Sequence, residues 1–188
     1  GGALRDEHEF RAGLFMTGAT FEQRMRFLVA RGYPVLALDE ALSRQSSDTL
    51  PPCATVITID DGWYGTYRLM VPVLKALRLP ATLYVATYYL EKQTQVFNVA
   101  AAYVLWSARD RTVDLAGLVP GLAGPRLLVT ASQREQVLRG LEAHAETLDS
   151  ATARQRLLRD LCGAAGVDPQ SLEAGRMFAF MSADEARQ

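Results

Sequence analysis

The sequence predicts an α/β fold, either a parallel sheet or a barrel. Three observations carry that prediction: a β-branched run at residues 55–59, a second apolar run at 81–89, and helical spacing of apolar residues between them. A strand–helix–strand unit over 55–89 requires a parallel pair joined by a right-handed crossover, because antiparallel neighbours would need only a hairpin.

The elements follow in order. In "TFEQRMRFLVARGYPVLALDEAL" (20–42), Thr20 and Gln23 form a capping box, and Phe21, Met25, Leu28 and Val29 recur at helical spacing. Gly32 stops that helix, Val35 to Leu38 form a short strand, and Asp39 caps the next helix. A polar, proline-ended connection over 46–52 leads into the strand Val56 to Ile59. The helix after it presents Leu69, Val73, Leu74 and Leu77, with Pro72 opening its second half or kinking it and Pro80 ending it. "ATLYVATYY" (81–89) is the second strand.

From Phe97 the character turns helical. "NVAAAYVLWSA" reads as one helix, and "LAGLVPGLAGP" is broken by glycine and proline. Ser132 to Leu148 is a helix with Val137, Leu138, Leu141, Ala145 and Leu148 on one face, and Ser150 opens another that ends at Gly163. No strand signal returns until Met177 to Met181. The chain therefore reads as a single domain, 1–188, with an α/β core over 1–96, a helical insertion over 97–176 and a return to the core over 177–188. It contains no internal repeat or low-complexity tract.

Composition excludes several classes. At 49% hydrophobic and 22% charged residues the chain has the make-up of a globular domain, not a disordered one. A net charge of −1, with arginines scattered among acids, supplies no electrostatic footprint for nucleic acid. No apolar run is long enough to span a membrane, and the start lacks the layout of a signal peptide; Gly1-Gly2 resembles a cloning remnant, so compartment is not legible. Cys53 and Cys162, far apart and in unlike contexts, read as two ordinary thiols.

The segment richest in chemistry is "TVITIDDGWYGTY" (55–67). Asp60 and Asp61 stand at the carboxyl end of a strand, the edge where α/β proteins gather active groups. Gly62 lets the backbone turn just after them and bring both carboxylates toward one locus. Two adjacent negative groups are tolerated there if a cation lies between them or if they share a proton. The plain alternative is that one aspartate caps the next helix and the other is solvated. Trp63, Tyr64 and Tyr67 supply flat rings that suit a sugar face beside an acidic locus, or that serve the core. A haloacid-dehalogenase-type site would separate its aspartates by one residue, and a phosphoacceptor receiver would need a lysine after a later strand. The chain meets neither condition, since no lysine follows Lys92.

With "VPVLKALRLPATLYVAT" (71–87), this segment resembles the first motif and following βα unit of the polysaccharide deacetylase family, the NodB-homology or carbohydrate esterase family 4 domain. Residues 21–42 resemble the lead-in to such domains, and "FMSADEARQ" (180–188) resembles the stretch before the family's second motif. Ile59 stands where the family usually has phenylalanine.

The resemblance implies part of a (β/α) deacetylase-type barrel that hydrolyses N-acetyl groups of an acetylated amino-sugar polysaccharide. In it Asp60 is the catalytic base and Asp61 a ligand of a divalent metal, usually zinc; beside them the rings of Trp63 and Tyr64 are the candidate substrate-binding residues. The metal would acidify a water and polarise the acetamide carbonyl, while Asp60 takes the water's proton. The family completes its metal site with two histidines of an H-(S/T)-x-x-H-P motif. His8 and His144, the two histidines here, lack that spacing: His8 sits in a charged run and His144 beside a helix's apolar face.

The expectation is thus an N-terminal portion of a deacetylase, without its metal and inactive as it stands, whose uncovered sheet edges drive self-association. The alternative is a non-catalytic carbohydrate-binding or interaction domain of the same fold.

Overall fold

The structure is a computed structural model that describes residue 10, residues 16–122 and residues 124–188. His8 lies outside the described residues. The chain forms two compact units, Gly1–Gln93 together with Phe180–Gln188, and Thr94–Ala179.

In the first unit, helix α1 (Gly18–Ala30) buries Phe21 and Met25. Its N-cap is Thr17, not Thr20: extended backbone at Thr17 lets its Oγ1 accept from the Thr20 N–H at 3.1 Å, which leaves Thr20 inside the first turn. Gly32, at φ +69°, ends the helix through bonds from Gly32 N to Val29 O and Tyr33 N to Leu28 O.

Helix α2 (Leu38–Ser46) follows with Ala37 at its cap. Asp39 therefore falls in the first turn, where it complements the helix dipole without capping. The strand expected over 35–38 contracts to one parallel bridge, Val35 to Thr55. Pro34 has no N–H to extend that ladder, and Leu38 already belongs to the helix.

Strand β1 (Thr58–Ile59) precedes a wide π-wound turn over Thr66–Met70 and helix α3 (Val71–Leu77). The Val71 N–H reaches back five residues to Thr66 O, and Pro72, which has no N–H to donate, sits where ordinary α winding resumes. The chain leaves α3 through Arg78 in the left-handed region and enters strand β2 (Thr82–Leu83), parallel to β1 with Thr58 opposite Thr82.

Backbone bonds extend this pairing beyond the two named strands: Thr82 N to Ile57 O, Tyr84 N to Ile59 O and Ala86 N to Asp61 O, at 2.8–2.9 Å. After Ala86 the ladder stops, because Asp61 at φ +70° turns its strand away. Residues 87–89, expected as strand, instead begin helix α4 (Thr87–Lys92).

Phe21, Met25, Ile57 and Leu74 form the core of this unit, so α1 and α3 are held on β1 by apolar burial. Met177 to Met181, also expected as strand, forms no strand of its own: Phe180 makes a single antiparallel bridge to Trp63, and Met181 N bonds to Gly62 O. Ser182 then caps a last helical turn, Ala183–Ala186, which ends the extended segment. Helix and strand are thus mixed as expected, but among the described residues the parallel strands form a pair and no closed barrel.

The second unit centres on helix α5 (Phe97–Ser107), whose Val99, Ala100, Ala101, Val104, Leu105 and Trp106 are buried. A hairpin of β3 (Thr112–Asp114) and β4 (Pro125–Leu127) corrects the expectation of an all-helical segment. Its strands are three residues long, too short to show alternation in the sequence. Burial of Val113, Leu115 and Leu128 anchors it.

Helix α6 (Ala131–Glu146) opens on a capping box of Thr130 and Gln133 and buries Val137, Leu141 and Ala145. His144 is partly buried on it. Helix α7 (Ala151–Ala165), capped by Ser150, runs through Gly163 and stops at Gly166. At φ +65° Gly166 takes the left-handed conformation, and Val167 N closes on Cys162 O. Both α6 and α7 pack against α5. Asp168 caps the short helix α8 (Pro169–Ala174). Neither cysteine is in a disulfide; Cys53 is exposed and Cys162 buried.

Candidate functional site

Asp60 and Asp61 occupy the turn that leaves β1. Asp61 adopts φ +70° and Gly62 φ +84°, two successive left-handed residues that reverse the chain at once. Aspartate is among the non-glycine residues that tolerate this region. At Gly62 a side chain would be both strained by the left-handed φ and tight, its Cβ lying 3.3 Å from Val85 Cγ1. The turn is held from three sides: Gly62 N bonds to Asp60 O, Ala86 N to Asp61 O, and Met181 N to Gly62 O, at 2.8–2.9 Å. Strained backbone maintained by such over-determination is a feature of functional sites.

Both carboxylates are exposed. Asp61 Oδ2 accepts the indole N–H of Trp63 at 3.1 Å. Trp63 stacks on Phe180 with ring centroids 4.6 Å apart, and Phe180 stacks on Tyr89 at 4.8 Å. Phe180, 3% exposed, is the middle ring of the three. One face of Trp63 is thus turned to protein rather than to solvent. Tyr64 pairs with Tyr67 at 6.3 Å, and the Tyr67 hydroxyl donates to Gln188 Oε1 at 3.0 Å.

Asp60, Asp61, Trp63 and Tyr64 thus share one turn and the segment that opens the following helix. Phe180, Tyr89 and Ala86, which brace the turn, were not legible as site residues. Phe180 is distant in sequence, and only its neighbourhood in "FMSADEARQ" hinted at a return to this locus. A cleft of about 390 Å³ in the same unit is lined by Ile59, Leu74, Leu79, Leu83, Met181 and Glu185 among others, but by neither aspartate. It lies against the strand and helix flanks, not at the turn.

Among the described residues no group of three or more His, Cys, Asp or Glu side chains is placed to hold a metal ion. Asp60 and Asp61 offer two carboxylates on one turn, and among the described residues no imidazole joins them. The residues present do not complete the donor set of a zinc site, which needs at least three protein ligands.

Among solved structures, the chain is similar to a de-N-acetylase from Aggregatibacter actinomycetemcomitans, with 11% identity over 96% of this chain and 81% of that one and a TM-score of 0.42. It is also similar to the BpsB deacetylase domain from Bordetella bronchiseptica, with 16% identity over 77% of this chain and a TM-score of 0.34; the match spans 64% of that domain's length. No curated protein matches. The polysaccharide deacetylase family model matches residues 47–165, well over half of the 188, and spans the whole turn from β1 through Trp63. The chain belongs to the polysaccharide deacetylase family.

Proposed function

We propose that this chain carries the Asp-Asp-Gly portion of a site that removes N-acetyl groups from an amino-sugar polymer, within a (β/α) deacetylase-type scaffold. On this reading residues 97–176 are a helical insertion, and 177–188 return to the core of 1–96. The supporting observation is the strained turn at the carboxyl edge of a parallel pair, inside the family-matched segment, with both carboxylates facing solvent.

In this reading Asp60 is the base. Its exposed carboxylate is open to a water that attacks an acetamide carbonyl, and it accepts that water's proton. Asp61 supplies one carboxylate donor toward a divalent metal, with Trp63 and Tyr64 bordering the sugar. The described residues do not by themselves complete a metal site around that carboxylate.

The same shortfall favours a second reading, a carbohydrate-binding domain that keeps the fold without the chemistry. Both readings are tested by titrating an N-acetylated glucosamine oligomer into the isotope-labelled chain, while acetate release and zinc content are measured. The expected outcome is amide shifts clustered at residues 60–64, substoichiometric zinc and no turnover. Shifts confined to other regions would remove the site assignment. Acetate release abolished by Asp60→Asn would show that the chain needs no further ligands and would discard the binding-only reading.

A further inference from the structure

The indole N–H of Trp63 meets Asp61 Oδ2 at 3.1 Å. We infer that Trp63 is a positioning residue for Asp61: it engages one carboxylate oxygen and leaves the other, Oδ1, to face outward in a fixed direction. An exposed aspartate ordinarily samples several rotamers, and a hydrogen bond restrains it only if the donor is itself immobile.

Here the donor is immobile. The Trp63 ring lies 4.6 Å from Phe180 at 30° between planes, and Phe180 lies 4.8 Å from Tyr89 at 13°. The backbones of Trp63 and Phe180 also bridge, and Met181 N bonds to Gly62 O at 2.8 Å. Two rings from two other chain segments, Phe180 directly and Tyr89 behind it, therefore hold the indole against the turn.

The acceptor's backbone is equally fixed, by its left-handed conformation and by the Ala86 N–H on its carbonyl. Only the side-chain torsions of Asp61 remain free, and the indole closes them. Carboxylates that must present one oxygen are commonly aimed by a hydrogen bond to the other. What the aimed oxygen is for rests on the deacetylase reading above; the aiming does not.

Trp63→Phe tests this, since phenylalanine keeps a ring for Phe180 but removes the N–H. Three-bond Hα–Hβ couplings of Asp61 are expected to report one rotamer in the native chain and averaging in the variant, with the ring-proton shifts of Phe180 and Tyr89 retained. Averaging already present in the native chain, or a single rotamer surviving in the variant, overturns the inference.

Should Trp63→Phe fail to fold, Asp61→Ala reads the same bond from the other side. Trp63 and Trp106 are the chain's two tryptophans. Asp61→Ala is expected to move the Trp63 indole N–H resonance alone and speed its exchange about tenfold; an unmoved Trp63 resonance overturns the inference. Neither measurement involves substrate or turnover, so oligomer-induced shifts confined to regions other than 60–64 would end the deacetylase reading and leave this result standing.

Discussion

Cys162 is fully buried, and burial, reinforced by the negative charges of Glu173 and Asp168, pushes its thiol up to about 11 from an ordinary 9.0. In the unfolded chain the thiol ionises near its ordinary value, while in the native chain it stays protonated. The unfolded state therefore binds fewer protons over that interval, and stability falls as pH rises. The contribution is fully present below about pH 9 and is lost by about pH 11, to the extent of about 2–3 kcal/mol. Urea midpoints measured from pH 8 to 11 should show this decline, and Cys162→Ala should flatten it. At neutral pH a thiol reagent should modify exposed Cys53 rapidly and Cys162 only on unfolding.

Gly62→Ala belongs to the same scale. Its cost combines a left-handed φ with a Cβ at 3.3 Å from Val85, and about 1–3 kcal/mol of destabilisation is expected by denaturant titration.

Helix ends show where local sequence is ambiguous. Thr17 and Thr20 are both good caps on paper, and the Thr20–Gln23 spacing favours the second. The chain uses Thr17, because the helix already begins at Gly18 and the Thr20 N–H needs an acceptor there. Thr17→Ala should therefore cost about 1 kcal/mol in thermal or urea unfolding, and Thr20→Ala distinctly less. Thr130→Ala should cost about as much as Thr17→Ala, since it removes one half of a complete capping box at α6. Equal losses at Thr17 and Thr20 would return the cap to Thr20. Pro72 was legible as a proline that opens or kinks the helix, and it does stand at the start of α3; the π-wound turn before it, closed by the Val71 N–H on Thr66 O, was not legible.

At the scale of the molecule, β2 pairs among the described residues with β1 alone, and Tyr84 and Tyr88 beside it are 51% and 45% exposed. A strand with an open side and apolar neighbours is a template for another strand. We propose that the chain self-associates through this edge. Sedimentation velocity should show mass rising with concentration, and Tyr84→Lys should reduce it. A monomer at every concentration would refute the edge as an association surface.

The parallel unit around β1 and β2, the helices α5, α6 and α7 of the second unit and the Asp60-Asp61-Gly62 turn were legible because each is written in local spacing. Apolar period, a strand that runs into two carboxylates, and a glycine that permits reversal all act between near neighbours. The β3–β4 hairpin, the early start of α4 at Thr87 and the bracing of Trp63 by Phe180 were not legible. Each depends on a partner brought from elsewhere in the chain: three-residue strands exist only as a pair, the ladder ends where Asp61 turns away, and Phe180 meets Trp63 across more than a hundred residues. Local periodicity carries no record of such partners, so only folding could aim Asp61 as it is found.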